Sequence, residues 1–192
     1  MKKGLLIIIS GPSGVGKGTI RAKVMESHSL NLFYSVSLTT RGPRPGEIEG
    51  VHYHFVTPEY FKQQVEEGNF LEHTSFVKHN YGTLKQPVFD AMNEGKNVIL
   101  EIEVNGAETV MKALKDIDIL SFFLLPPSLE ELEKRIRGRC SEDEEAIQKR
   151  LKRAKTELKY AKDYKYTIIN NNVDEAAHEI EKIIRQEIEK TL

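Results

Sequence analysis

Leu5–Ile9 is apolar at every position, the pattern of a strand covered on both faces in a parallel sheet. Two further apolar strands are predicted at Asn97–Ile102 and Ile117–Leu125, each followed by a segment of helical pattern. A glycine-rich turn after the first strand leads into a helix from Lys17 to about His28. The helix after the third opens with a capping box, Ser128 with Glu131 three residues on. A last strand, Tyr166–Ile169, leads to a terminal helix whose apolar positions include Ala176, Ile180, Ile183 and Ile184. Strands alternating with helices predict an α/β fold, with a mainly parallel core sheet flanked by helices.

Two stretches break this rhythm. Residues 34–83 hold short alternating strands, Tyr34–Leu38, His52–Val56 and Phe70–Val77, around one helix opened by Thr57-Pro58. The loop Thr39–Gly50 carries Pro43, Pro45 and three glycines. This reads as a mixed-sheet insertion rather than another βαβ unit. The second break is Gly138–Glu145, where a basic helix end meets Cys140 and an acidic run, and Ser141 with Glu144 predicts another capping box. The helix it opens runs to about Lys162. The expected organisation is a core of residues 1–33, 84–136 and 149–192, an insertion of 34–83 and a movable lid of 137–148.

The chain has 192 residues, 39% of them hydrophobic, enough for one well-packed domain. Lys plus Arg number 28 against 29 Asp plus Glu, a net charge of −1, which argues against a broad nucleic-acid or membrane surface. A small anion site built from clustered arginines remains open. The single cysteine, Cys140, permits neither an intrachain disulfide nor a thiolate zinc cluster, and a reducing, cytoplasmic setting is expected. Leu5–Ile9 is too short for a bilayer span or a signal-peptide core.

The chemistry begins with Gly11-Pro12-Ser13-Gly14-Val15-Gly16-Lys17-Gly18-Thr19, set between a buried strand and a helix. Glycines let several backbone N–H groups point inward at a phosphate, and the helix N-terminus adds positive potential. Lys17 can reach the β and γ oxygens. The hydroxyl that usually follows the lysine and touches magnesium is replaced by Gly18. Thr19, one residue late, is read as a phosphate ligand, and the ion as held through substrate oxygens and waters. A switch GTPase would need N-K-x-D downstream, which is missing, and motor-type ATPases need a longer chain. The nucleoside monophosphate kinases remain.

Arg41 and Arg44 lie three residues apart among hydroxyls, and guanidinium forks match phosphate oxygens. Together the phosphate loop, the run Ser35 to Glu47, Phe70-Leu-Glu72, Tyr81-Gly-Thr83, Glu101-Ile-Glu103-Val-Asn-Gly106, Pro126-Pro-Ser128 and Arg135-x-x-Gly-Arg139 closely resemble guanylate kinases, in unbroken order over nearly the whole chain. The resemblance implies transfer of the γ-phosphoryl group of ATP to GMP, and to dGMP, with magnesium. Lys17, Arg41, Arg135, Arg139 and Arg150 would serve catalysis. The loop Gly11–Thr19, Arg139 and Asn170 would bind ATP, with Asn170 and Arg139 at the adenine. Arg41, Arg44, Tyr53 and Tyr81 would hold the phosphate of GMP. Ser37, Glu72, Thr83 and Glu103 would read guanine, with Glu47 and Glu101 beside them. Guanine offers N1–H and an amino group as donors, which suit a carboxylate, whereas adenine presents an acceptor at N1.

One segment departs from the family, whose members usually carry Asp-Ile-Asp-x-Gln-Gly where this chain has Glu101-Ile-Glu-Val-Asn-Gly106. Both carboxylates gain a methylene and the amide loses one. Glu101 is read as structural or as a support for the magnesium water shell. Arg137, Lys152 and Arg153 are expected on a solvated basic face. Arg135, Arg139 and Arg150 would close over the γ-phosphate and keep water out. The acceptor phosphate is already ionised, so no general base is expected. His52, His54 and His73 lack the companions of a metal site and are read as structural. Two other readings stay open at this point: a guanylate-kinase-like module that binds a phosphopeptide, and a kinase of the same fold acting on a ribose phosphate. An intact Lys17 and the lid arginines speak against the first, and Ser37 with Glu72 against the second.

Overall fold

The computed structural model describes residues 3–76, 78–139 and 144–190. The chain runs through β1 (Leu6–Ser10), α1 (Lys17–Val24), β2 (Leu32–Tyr34), β3 (Leu38–Thr39), β4 (His54–Phe55), α2 (Pro58–Glu66), β5 (Phe70–Phe76) and β6 (His79–Leu84). It continues through α3 (Lys85–Asn93), β7 (Asn97–Glu101), α4 (Val104–Ala113), β8 (Ile119–Leu125), α5 (Leu129–Arg139), α6 (Glu144–Glu157), β9 (Tyr166–Ile169) and α7 (Val173–Lys190).

The larger sheet has the order β2-β7-β1-β8-β9, and every pairing in it is parallel. β1 lies at its centre, with Ile8 opposite Leu100 on one side and Ser121 on the other. A central parallel strand is covered on both faces, which is why Leu6–Ile9 is wholly buried. Side chains alternate between faces. Leu6 and Ile8 join Val88, Val104 and Phe123 in one cluster, while Ile7 and Ile9 join Ile20, Phe122, Ile168 and Ile180 in the other. α3 and α4 contribute to the first cluster and α1 and α7 to the second.

The smaller sheet has the order β4-β3-β6-β5. It is mixed, since β3 pairs parallel with β4 and antiparallel with β6, and β5 and β6 form an antiparallel hairpin. Leu38, Phe61 and Phe70 form its core, with α2 packed across it. Thr57 caps α2 by accepting from the Tyr60 amide at 3.2 Å, with Pro58 in the first turn.

Several boundaries differ from the sequence reading. The expected strand Tyr34–Leu38 is divided between the two sheets. β2 ends at Tyr34 against β7, the Ser35 amide still donates to the Ile99 carbonyl at 3.0 Å, and the chain then crosses to begin β3 at Leu38. Alternation along a strand does not reveal which sheet it joins. β6 was not foreseen because no glycine or asparagine stands in the sequence between Phe76 and His79 to mark a hairpin. α1 stops at Val24 rather than His28, and a 3₁₀ turn follows at His28–Leu30. α6 ends at Glu157, with 3₁₀ geometry over Leu158–Asp163. The Ser128 cap is present, its hydroxyl accepting from the Glu131 amide at 3.1 Å. Cys140 and the cap expected at Ser141 lie outside the described residues. Among the described residues, no helix is long and apolar enough to cross a membrane.

Candidate active site

The glycine loop links the end of β1 to α1. Gly14 and Gly16 have φ of 88° and 99°, a region side chains rarely adopt, so the loop needs glycine at both positions. Gly16 is constrained a second way, because a Cβ there would come 2.6 Å from Nδ2 of Asn170. That amide nitrogen donates to the Val15 carbonyl at 2.7 Å, and Arg135 donates to the carbonyls of Val15 at 3.5 Å and Asn170 at 3.3 Å. Asn170 is buried. It braces the loop from beneath. Arg135 is likewise turned to the loop backbone and to Glu131, at 2.9 Å. Lys17 stands at the first position of α1, with Nζ donating to the carbonyls of Gly11 at 2.7 Å and Pro12 at 3.2 Å.

A cleft opens between this loop and the smaller sheet. Ser13, Gly14, Gly16, Lys17 and Gly18 form one wall, and Ser37, Arg41, Arg44, Tyr53, Glu72 and Tyr81 the other. Glu101, Ile102 and Glu103, at the carboxyl end of β7, lie between them, and Arg150 of α6 joins the lining. Clefts outside the carboxyl ends of parallel strands are where open α/β sheets bind ligands. Gly11, Pro12 and Val15 are buried behind the loop, and Thr19 is exposed. The Arg139 side chain lies outside the described residues.

Arg41 is held on three sides. Its Nη1 and Nη2 donate to the two oxygens of Glu47 at 2.9 and 2.8 Å, and its Nε to the Tyr81 hydroxyl at 3.2 Å. Its guanidinium also lies 5.5 Å from the centroid of the Tyr53 ring. Glu47 accepts in addition from the Arg44 amide at 2.8 Å. Burial works against the charge on Glu47, but Arg41 and the Arg44 amide outweigh it and hold the carboxyl below its usual range. Glu47 is thus the anchor of the arginine pair rather than part of the cleft wall. Burial, with the charge of Glu101, raises the Tyr53 hydroxyl far above its ordinary pKa, so it stays a proton donor.

Glu72 is 5% exposed. One of its oxygens accepts from the Thr83 hydroxyl at 2.7 Å, and that hydroxyl lies 3.2 Å from the Ser37 hydroxyl. The other oxygen rests on Gly106 in the first turn of α4, where a Cβ would come within 2.6 Å. Burial pushes the Glu72 carboxyl up to about 7; the Thr83 hydrogen bond pulls it down and the charge of Glu103 adds to the rise. Thr83 is buried behind Glu72 and supports it. Thr74 also lines the cleft, a residue the sequence reading missed. Its position two after Glu72 on β5, on the same face, was the available signal.

Glu101 accepts from Nε of Arg21 at 3.1 Å, and its carboxylate would lie 3.6 Å from a Cβ at Gly18. Glu103 accepts from Nη2 of Arg153 at 2.5 Å, and Nε of Arg153 donates to Glu157 at 2.7 Å. Arg153 is therefore no solvated residue, contrary to the pattern-based expectation. Helical spacing put it on a basic face without revealing that carboxylates lie beneath. Arg137 does fit the expected surface role, paired with Glu133 and Glu144. His52 accepts from the Ile48 amide at 3.0 Å, and His54 lies 2.8 Å from Glu49.

Residues 3–187 match the family model described as guanylate kinase. A guanylate kinase of Clostridium perfringens is 49% identical over 185 residues, which span 96% of this chain and 84% of that protein. One from Malacoplasma penetrans is 46% identical over 187 residues, 97% of this chain and 95% of its own length. The crystal structure of guanylate kinase from Anaplasma phagocytophilum superposes with a TM-score of 0.80 at 32% identity, covering 97% of this chain and 87% of that one. Sequence and architecture agree along nearly the full length, and the protein belongs to the guanylate kinase family.

Proposed function

We propose that this enzyme transfers the γ-phosphoryl group of ATP to the phosphate of GMP, and of dGMP, by direct in-line displacement, giving ADP and GDP or dGDP. The observation that carries this reading is the facing of two anion cradles across one cleft, with a buried carboxylate beside the second. The glycine loop and Lys17 hold the β and γ phosphates. Arg41, Arg44, Tyr53 and Tyr81 hold the acceptor phosphate, with Arg41 preset by Glu47. An oxygen of that phosphate attacks the γ phosphorus as the bond to the β-phosphate oxygen breaks. No base is required, because the acceptor is already ionised. Arg150 on the cleft wall, with Arg135 and Arg139 as the lid closes, offsets the charge of the two polyanions and keeps water from the transferring group.

Glu72 reads the base. Its ionised form accepts from N1–H and the 2-amino group of guanine, while Thr83 and Ser37 fix its orientation. Sites that hydrogen-bond a required donor reject analogues lacking it by roughly 10⁴-fold. The residues around Gly18 fit a magnesium ion held by nucleotide phosphates and waters. That position offers no hydroxyl, and the Glu101 carboxylate at 3.6 Å from its Cβ direction can accept hydrogen bonds from such waters. A magnesium ion held there would offset the negative charge of the nucleotide phosphates. The single cysteine suits the reducing cytoplasm.

A panel of acceptors with coupled detection of ADP tests the assignment. GMP and dGMP should turn over far faster than AMP or ribose 5-phosphate. If AMP or the sugar phosphate outruns GMP, the substrate assignment is wrong.

A further inference from the structure

Arg153 stands behind the cleft wall, on α6 three residues after Arg150. It is gripped at both ends. Nε donates to Glu157, whose side chain is only 8% exposed, and Nη2 donates to Oε2 of Glu103 from a strand end 50 residues away in sequence. With Oε2 held by Arg153, Oε1 is the oxygen of Glu103 left for a ligand in the cleft.

Glu72 and Glu103 line the same cleft and would address the same donor edge of a purine. Two carboxylates so placed oppose each other's ionisation. We propose that Arg153 is a positioning residue for base recognition, clamping Glu103 in the wall and offsetting its charge, so that the helix carrying Arg150 also sets the acceptor pocket. The charge of Glu103 raises the proton affinity of Glu72, and a cation on Glu103 weakens that effect. Burial disfavours the charge on Arg153, but Glu103 and Glu157 more than offset this, so it stays a cation. Among the described residues, the other titratable groups on the cleft are Lys17, Arg41, Arg44, Tyr53, Tyr81, Glu101 and Arg150. They are unchanged in every variant below, so a displaced profile reports on the Glu103–Arg153 pair.

This inference rests on GMP as the acceptor, and wild-type turnover of GMP tests that reading separately, before any variant is made. The experiment is steady-state kinetics from pH 6 to 9 on wild type, Arg153→Gln, Arg153→Lys and Arg153→Gln combined with Glu103→Gln. Arg153→Gln should raise KM for GMP about tenfold, the loss of one charged hydrogen bond, with kcat and KM for ATP changed by less than about twofold. It should also move the midpoint of the pH dependence of KM for GMP upward. Adding Glu103→Gln should abolish that movement. Arg153→Lys keeps the charge but cannot span both carboxylates, so it should raise KM for GMP about threefold with the wild-type midpoint. An unchanged KM and midpoint in Arg153→Gln overturns the proposal. So does a loss shared equally by ATP and GMP with a lower Tm and no displaced midpoint. Should Arg153→Gln fail to fold, a wild-type KM for GMP in Arg153→Lys overturns it alone.

Discussion

The Thr83 hydroxyl donates to the Glu72 carboxylate at 2.7 Å inside the protein, where that carboxyl is half protonated near neutral pH. A protonated carboxyl cannot accept from both donors of guanine. KM for GMP should therefore fall as pH rises through about 7, while KM for ATP stays flat across the same range. Initial-rate profiles with each nucleotide varied in turn decide the point. A GMP profile that is flat from pH 6 to 8 removes Glu72 from base recognition.

The same group makes a prediction about stability. The Glu72 carboxyl is raised from 4.5 to about 7, so between those values the folded protein binds protons that the unfolded chain has released. Stability falls with rising pH across that window, and the full penalty is present above it. Glu72→Gln should be the more stable protein at pH 8, by on the order of 3 kcal/mol, and equal to wild type below pH 4.5. It should bind GMP far more weakly. Chemical denaturation at the two pH values, paired with calorimetric GMP titration, separates these effects.

Gly106 gives the cleanest steric test. Alanine favours a helix over glycine by up to about 1 kcal/mol, so Gly106→Ala should leave α4 intact. The new methyl would lie 2.6 Å from the buried Glu72 oxygen, which must turn away. The expected outcome is a KM for GMP raised about tenfold or more with KM for ATP unaltered, equivalent to losing one charged hydrogen bond. Unchanged GMP kinetics would mean that the carboxylate does not need this seat.

The core strands and the glycine loop were legible because their physics is local. Leu5–Ile9 needs only its own apolar run, and Gly14 and Gly16 need only their own dihedrals. Arg41, Arg44, Tyr53 and Tyr81, expected from the family resemblance at the acceptor phosphate, are brought by the fold to one wall. What stayed hidden depends on contacts between distant segments. The Asn170 brace on Val15 spans 155 residues, and the Arg153 bridge to Glu103 spans 50. Glu47 stood six residues from Arg41 in plain view, yet only the folded loop shows it anchoring that arginine.

That anchoring predicts a selective defect. Removing Glu47 loosens Arg41 from the acceptor phosphate, since both hydrogen bonds to the carboxylate are lost and Nη1 keeps the Gly42 carbonyl at 2.6 Å. Glu47→Ala should raise KM for GMP by about 10- to 100-fold, a loss of roughly 1.5–3 kcal/mol, and leave KM for ATP within twofold. Equal weakening of both nucleotides would show that the loop as a whole has collapsed, and that Glu47 does more than aim Arg41.

Asn170 separates a structural brace from a ligand contact. Its buried Nδ2 satisfies the Val15 carbonyl, and its side chain presses on Gly16, so its loss affects the loop before any nucleotide arrives. Asn170→Ala removes the shorter of two hydrogen bonds to the Val15 carbonyl and leaves it the 3.5 Å bond from Arg135, a loss of about 1 kcal/mol. The nucleotide-free variant should therefore melt several degrees lower, and KM for ATP should rise because the phosphate cradle is loosened. Changing the donor's base tells the two roles apart. A brace acts through the loop, so ATP and GTP should lose affinity by the same factor. A base contact would leave the nucleotide-free Tm where it was and weaken ATP alone.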